Sequence, residues 1–329
     1  MTAEAFSVLL TSGGRRVALV REFQAALRSL GVAGRVLVAD LRRNAAAFHA
    51  ADAGVLVPRV TSPEYVPHLL SMCEREGVRM VVPLIDTELH LLAPHREQFA
   101  ARGITLVVSS PATTELSLDK RTTRDFFLAH GFDTPRVLEA AAILADPSAK
   151  YPFFLKPADG SCSVGATRID DAEALAFHAR HTANAMVQEF VRGEEYTLDV
   201  LADFTGRVRC VVPRLRIETR AGEVSKGMTV KDPRLLDAGR RVVEALPGAV
   251  GCMTVQLFLT GEREVKFIEI NPRFGGGFPL AAAAGAKYPE WLVAWALGRD
   301  PEVTLDGWTD GLVMLRYDDA VFVRRDEIG

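Results

Sequence analysis

The chain has 329 residues, enough for about two or three packed units at roughly 150 residues each, which excludes a short disulfide-stapled scaffold. Hydrophobic residues make up 48% and charged residues 25%, the composition of a chain that buries a core and not of a disordered one. Thirty-nine Lys and Arg against 42 Asp and Glu leave a net charge of -3, so no bulk basic field exists to hold nucleic acid or an anionic membrane, and phosphate recognition has to be local.

The amino-terminal stretch carries Glu4 where a secretion signal would be basic, and nowhere do about 18 apolar residues run together. Cys73, Cys162, Cys210 and Cys252 stand singly without a CxxC pair, which argues against a zinc knuckle or a disulfide framework. Reduced thiols in a cytoplasmic protein are the expectation. Short apolar runs at 7–10, 36–39, 55–57, 80–85 and 106–108 alternate with helical patterns, predicting five strands of a parallel sheet covered on both faces. Val17, Val20, Phe23, Leu27 and Leu30 form the apolar stripe of the first helix, which ends near Gly31. In such sheets ligands bind beyond the carboxyl ends of the strands. Those ends here are the segment from Thr11 to Arg16, then Asp40, then Asp86 to Glu88.

The character changes near residue 112. A helix over 118–131 precedes strand-like runs at 153–156, 164–169, 185–191, 196–202 and 208–212, with one helix over 171–182. A helix over 233–246 then leads to strands at 253–259 and 265–270, joined by a turn at 260–263 and expected to pair antiparallel. Trp291, Trp295 and Trp308 read as core packing, and the seven histidines lack ligand spacing.

Three segments carry chemistry. In the strand from Val265 to Asn271, Glu269 and Asn271 point to one face and Ile268 and Ile270 to the other, while Thr254, Gln256 and Phe258 share a face of the partner strand. Gln256, Glu269 and Asn271 thus supply a few hard oxygens open to phosphate oxygens, as Mg²⁺ prefers in nucleotide sites; the alternative is an ordinary solvated strand face. Lys156 ends an apolar strand before a loop of small residues that includes Gly160, Ser161, Cys162, Ser163 and Gly165. Its ammonium can meet phosphate oxygens while backbone N–H groups close over them, or it can be a plain Lys beside a surface hairpin. Last, Glu189, Phe190, Val191 and Glu195 follow a strand, where carboxylates can accept from ribose hydroxyls, or simply form a charged loop.

In order and spacing these segments resemble the ATP-grasp superfamily, most closely the ATP-binding units of carbamoyl-phosphate synthetase large subunits and their stand-alone relatives. The resemblance spans about residues 7–300 and is most specific at Gln256, Glu269, Asn271, Pro272 and Arg273. It implies an α/β fold, α+β in the ATP-binding half. A parallel-sheet pre-ATP-grasp domain would occupy 1–112, a small lobe with a flexible glycine-rich loop 113–190, and a large lobe with the metal site and carboxy-terminal helices 191–329. It implies ATP with Mg²⁺ or Mn²⁺ as cofactors, Lys120 and Lys156 on the nucleotide phosphates, Ser161 and Ser163 in the lid, and Glu189, Phe190 and Val191 around adenine. Glu195 would bind ribose, and Arg273 the γ-phosphate or the acyl phosphate made from it. Cys162 stands where the family usually has another Gly.

The reaction expected is ATP-dependent activation of a small carboxylate to an acyl phosphate and its capture by an amine or amino acid, with ADP and phosphate released. An accessory ATP-binding subunit and a small-molecule kinase are the alternatives. Arg273 and Lys226 are the catalytic candidates, and Arg15, Asp86, Glu88, Arg214 and Arg216 the substrate candidates; Arg15 and Arg16, just after the first strand, could hold a carboxylate or a phosphate of the substrate by bidentate pairing. Asp86 has a competing reading as a helix cap. The partners expected are small molecules, with no nucleic acid or membrane, and a homodimer is usual among relatives.

Overall fold

A computed structural model describes residues 5–159, 165–220 and 222–328. The five apolar runs of the first part become β1 (Ser7–Thr11), β2 (Val36–Asp40), β3 (Ala53–Leu56), β4 (Val78–Pro83) and β5 (Thr105–Leu106), a parallel sheet in the order β3-β2-β1-β4-β5. Parallel neighbours require crossovers. These are supplied by α1 (Val17–Ser29), α2 (Ala46–Ala50), α3 (Tyr65–Glu76), α4 (Asp86–Leu92) and α5 (Arg96–Ala100). The stripe of α1 buries Val20, Phe23 and Leu27 as its period requires. Because β1 pairs with β2 on one side and β4 on the other, the strand order reverses beyond Thr11. A ligand crevice opens at such a reversal, and the segments leaving β1 and β4 flank it.

Next come α6 (Pro111–Leu116) and α7 (Lys120–Ala129). Asp119 caps α7 by accepting from Arg121 N–H, which is why the helix expected from residue 118 begins at Lys120. The following elements are β6 (Val137–Leu138), α8 (Ala140–Ala145), β7 (Phe153–Pro157), β8 (Thr167–Ile169), α9 (Ala172–His181) and β9 (Ala185–Glu189). Their strands make an antiparallel sheet in the order β6-β9-β7-β8. Ser161, Cys162 and Ser163, expected in a lid between β7 and β8, lie outside the described residues.

The remainder contains β10 (Gly193–Ala202), β11 (Val208–Arg220), β12 (Glu223–Thr229), α10 (Pro233–Glu244), β13 (Gly251–Thr260), β14 (Val265–Asn271), α11 (Phe278–Ala283), α12 (Tyr288–Ala296) and β15 (Val313–Leu315). They build a six-stranded sheet ordered β14-β13-β10-β11-β12-β15. β13 and β14 pair antiparallel as expected, and β11 runs on to Arg220, well past the end anticipated at residue 212. One face is apolar: Leu198, Val200, Val211, Val255, Leu257, Phe267 and Ile270 are all buried. Helix α10 lies close on it because Gly239 has no side chain; a Cβ there would stand 2.8 Å from Val211 and 2.9 Å from Leu198. The same hydrophobic cluster takes in Val8, Leu10 and Phe23 of the first unit, and Phe23 meets Phe274 edge to face at 6.1 Å between centroids. Among the described residues no helix is long and apolar enough to cross a membrane.

Among the described residues two polar pairs are buried outside this apolar face. Arg214 (1% exposed side chain) forks onto Asp199 (0%), Nε donating to Oδ2 at 2.6 Å and Nη2 to Oδ1 at 3.1 Å. Under the parallel sheet, the hydroxyl of Tyr65 donates to Glu88 Oε1, and Glu88 is fully buried. Burial pushes the Glu88 carboxyl above its usual range, against the hydrogen bond from Tyr65. Asp86 opens α4 and does not cap it; Ile85 is the capping position.

Two stability measurements follow. Arg214→Ala leaves Asp199 buried without its counter-charge and should cost about 3–5 kcal/mol in urea unfolding; wild-type stability with weakened substrate binding would instead return Arg214 to a ligand role. For Glu88, a folded-state pKa raised above the unfolded one means a contribution present at low pH. It is lost as pH rises from about 4 through the raised value. Glu88→Gln should remove that decline while keeping the bond from Tyr65. A Glu88→Gln stability profile parallel to wild type across pH would refute the buried neutral carboxyl.

Candidate active site

Register assembles the polar face of the six-stranded sheet. Directly opposed residues of antiparallel strands point the same way, and Glu269 of β14 opposes Gln256 of β13, which opposes Thr197 of β10, which opposes Arg214 of β11. One row further, Asn271, Thr254 and Asp199 line up. Plain alternation would put Phe267 on the face of Glu269. A bulge between Gln256 and Leu257 on this pair skips Ile268, so Phe267 pairs with Leu257 in the core while Glu269 keeps to the polar side.

The three expected metal residues are in mutual contact. Gln256 Nε2 donates to Glu269 Oε1 at 2.7 Å and Asn271 Nδ2 donates to the same oxygen at 3.0 Å. Among the described residues no group of three or more His, Cys, Asp or Glu could hold a metal. What stands here is one carboxylate flanked by two amides. That donor set fits a hard cation which takes few protein oxygens and completes its shell with phosphate and water, provided both amides turn their oxygens inward. Arg273 extends the line. Its Nη2 donates to Asn271 Oδ1 at 3.2 Å and to Asp86 Oδ2 at 3.1 Å, while Thr254 Oγ1 donates to its carbonyl at 2.8 Å. Asp86 thus reaches this centre from the end of β4, and among the described residues its buried Oδ1 has no hydrogen-bond partner.

Lys156, near the end of β7, is only 6% exposed. Among the described residues its ammonium has no hydrogen bond or ion pair. Burial pushes it down to about 8, opposed by the charges of Glu269 and Glu195 and reinforced by that of Lys120. A cation kept from water with carboxylates acting only at a distance is suited to anionic oxygens. Lys120 occupies the first turn of α7, its N–H donating to Ala158 O at 2.9 Å, so both lysines serve one region. Glu195 lies beside Arg216, with Nε 3.1 Å from Oε1 but without hydrogen-bond alignment. Arg216 is held in addition by Thr197 Oγ1 at 3.3 Å and Gly222 O at 3.2 Å. Burial raises the Glu195 carboxyl while Arg216 opposes the rise.

The remaining candidates fall into different surroundings. Glu189 is gripped by Arg136 at 2.9 Å and Lys266 at 3.2 Å, and its N–H donates to Arg136 O at 2.9 Å. Phe190 lies under the Arg168 guanidinium, 5.1 Å from its centroid, and with Val191 falls in the connection between β9 and β10. Arg15 is exposed, 3.7 Å from Glu223. Glu88, Arg214 and Lys226 do not join the cluster: the first two are in the buried pairs already described. Lys226 makes an exposed ion pair with Glu218 at 2.6 Å, its partner across the hairpin. Sequence reasoning missed Thr197, which lies in the same row, and Tyr65, which fixes Glu88. It also missed a cavity of about 320 Å³ beyond β1 and β2, lined by Ser12, Asp40, Arg59, Tyr65 and Ile85 among others. The period-two pattern of β10 could have found Thr197; the other two depend on contacts between distant segments.

Comparison with known proteins agrees with this architecture. Residues 8–107 match the family described as PylC-like, N-terminal domain, and residues 117–277 match the ATP-grasp domain family. D-alanine--D-alanine ligase of Chromohalobacter salexigens is 26% identical over 196 residues, covering 51% of this chain and 59% of that one. 3-Methyl-D-ornithine--L-lysine ligase of Methanosarcina acetivorans is 28% identical over 166 residues, covering 50% and 42%. The chain therefore spans less than two thirds of the length of these relatives. Among solved structures, biotin carboxylase from Campylobacter jejuni superposes with a TM-score of 0.71 at 16% identity, covering 93% of this chain and 75% of that one. N5-carboxyaminoimidazole synthetase from Staphylococcus aureus gives 0.69 at 14%, covering 92% and 80%. The parallel sheet, the two antiparallel sheets and the matched segments together establish that the chain belongs to the ATP-grasp superfamily and carries a PylC-like amino-terminal domain.

Proposed function

We propose that the protein is an ADP-forming ligase that activates a small carboxylate with ATP and joins it to an amine or amino acid. The single observation that carries this reading is the buried Lys156 ammonium, unpaired among the described residues and within electrostatic reach of Glu269, whose carboxylate is flanked by Gln256 and Asn271. A charge arrangement of this kind suits a polyphosphate. The relatives named above are ligases of amino acids, D-alanine with D-alanine and 3-methyl-D-ornithine with L-lysine, which supports an amino acid as one partner.

The residues divide the work between two steps. In the first, a carboxylate oxygen of the acid forms a bond to the γ-phosphorus as the bond to the β-γ bridging oxygen breaks and ADP departs. Positioning and neutralisation of charge dominate such transfers. Lys156 and Lys120 would hold the phosphates, Arg273 would meet the moving phosphoryl group, and Glu195, steadied by Arg216, would take the ribose hydroxyls. Glu269, Gln256 and Asn271 would hold Mg²⁺, which supplies neutralisation of the phosphate charge when bound. In the second step the amine nitrogen bonds to the acyl carbon and phosphate leaves. No side-chain nucleophile is required. Cys73, Cys210 and Cys252 are buried with thiols pushed up by burial, the opposite of an activated thiolate.

Purified protein should release ADP with one carboxylate of a panel only when the cognate amine is present, and mass analysis should find the amide. A phosphorylated acid accumulating without amine dependence would make the protein a kinase, and nucleotide binding without turnover an accessory subunit. Glu269→Ala should lower the rate on the order of a thousandfold without unfolding the protein; turnover within about tenfold of wild type would remove Glu269 from the metal site.

Lys156 sets a pH dependence. Its folded value near 8 means that the free protein loses this charge above that pH, whereas bound phosphates would restore it. ATP affinity should therefore fall as pH rises from about 7 to about 9.5, and AMP affinity should fall less. Lys156→Arg should flatten the ATP profile, and Lys156→Ala should weaken ATP more than AMP. Equal losses for both nucleotides would place Lys156 off the phosphate path.

A further inference from the structure

Arg16 closes the segment that leaves β1 at the strand-order reversal, and it immediately precedes α1. Its backbone is fixed, the N–H donating to Gly13 O at 2.9 Å, while Gly14 N–H donates to Asp40 Oδ2 at 3.0 Å. The half-buried guanidinium, by contrast, has no hydrogen bond or ion pair among the described residues. Around it stand three more guanidiniums, those of Arg273, Arg316 and Arg15, and one carboxylate, Glu223.

Glu223 is already engaged, 3.2 Å from Arg316 and 3.7 Å from Arg15. Burial works against its charge, yet the pull of Arg16, Arg316 and Arg15 holds it below its ordinary range. Arg273 is itself bound by Asp86 and Asn271. Four cations thus share two carboxylates. Burial first, then the repulsion of Arg273, Arg316 and Arg15, lowers the Arg16 guanidinium from its ordinary value, opposed by Glu223. Charges of one sign held this close repel in the free protein, and an oxyanion between them would relieve that repulsion.

The surroundings are built for close approach. A Cβ on Gly276 would stand 3.1 Å from Arg16 Nη1 and 2.9 Å from the Glu223 carboxyl carbon, so the glycine lets both side-chain ends sit close to the backbone without shifting. Arg316 is clipped to β12 by its N–H to Ser225 O at 3.0 Å and by Nη1 to Val224 O at 3.2 Å. Three elements distant in sequence therefore deliver arginines to one point.

We propose that Arg16 and Arg316, with Arg15 at the rim, form a binding site for an oxyanion carried by the substrate, a carboxylate or a phosphate ester. The site adjoins Arg273, whose charge acts on Arg16. This rests on the ligase reading for the ligand's being a substrate, but not for the site's binding an anion. The site selects substrates bearing such a group and orients them toward the phosphoryl group at Arg273.

Inorganic phosphate and malonate serve as probes, titrated calorimetrically at low salt with Mg²⁺ and the non-hydrolysable ATP analogue AMP-PNP at saturation, so that the nucleotide phosphate positions are filled. One of the two should bind with unit stoichiometry, malonate the tighter if the substrate group is a carboxylate and phosphate if it is a phosphate ester. Arg16→Gln and Arg316→Gln should each weaken it by about tenfold or more, as loss of a charge-assisted contact implies, and Arg16→Lys by less. Arg240→Gln, the same change of charge in an exposed ion pair with Asp237 and Glu244 on α10, should bind as wild type. Urea unfolding of each variant without anion checks the fold, and the two Gln variants lie on separate elements. If AMP-PNP fails to bind the wild type, the nucleotide reading fails, and the same titrations without it still decide the arginine site. Absence of binding by both anions, or binding undiminished in both Gln variants, overturns the proposal.

Discussion

A slip of β13 by one residue against β10 or β14 would turn Gln256 and Thr254 into the core and push Val255 and Leu257 into the site. Everything functional on the large sheet depends on preventing that slip. The safeguard is the opposite face, where Leu198, Val200, Val211, Val255, Leu257 and Ile270 are buried beneath α10. At about 25 cal/mol for each Å² of apolar surface, exposing even one or two of these side chains costs several kcal/mol, more than any polar pair on the other face returns. The hydrophobic face chooses the register, and the polar residues receive their positions from it. The bulge at Ile268 belongs to the same economy of placement: it lets Phe267 and Glu269, two apart, face opposite sides.

Charges on the polar face fall into two kinds. Asp199 and Arg214 satisfy one another by a two-pronged bond and are closed to solvent; the pair fills space between β10 and β11 and has one remaining orphan, Arg214 Nη1. Lys156 and Arg16 are cations without such partners among the described residues. Burying a charge without pairing it is costly, and a fold tolerates the cost where a ligand later supplies the counter-charge. Both unmatched cations flank the line from Glu269 through Asn271 to Arg273. On the function proposed above, unmatched charge marks the ligand path more clearly than any cavity volume does.

Much of this was legible in the sequence, for reasons that also explain what was not. Strand runs and the stripe of α1 are local, so their periods read directly, and the common face of Gln256, Glu269 and Asn271 follows from period two once the hairpin is recognised. Arg214 and Arg216 share one parity on β11, and nothing local separates them. One closes on Asp199 and the other approaches Glu195, because the neighbouring strand offers carboxylates at both heights. Glu88, directly after an apolar strand, reads in the sequence as a substrate residue facing the crevice. Its burial depends on Tyr65, 23 residues earlier on another helix. Arg316 follows a strand of only three residues, too short to register as a pattern, and acquires its place solely by pairing β15 with β12.

The amino-terminal domain is more than an appendage to the nucleotide-binding part. Phe23 of α1 packs on Phe274, which adjoins Arg273, and Arg299 Nη1 reaches Leu30 O at 3.0 Å. This contact holds the carboxyl ends of β1 and β4 beside Arg273, which meets Asp86 Oδ2 at 3.1 Å and whose charge acts on Arg16. A strand-order reversal in a parallel sheet leaves a crevice wherever it occurs. What makes this one useful is that a buried aromatic contact aims it at the phosphoryl-transfer centre proposed on a different sheet. Weakening Phe23 would therefore disturb the relation between Asp86, Arg16 and Arg273 before it disturbed either sheet by itself.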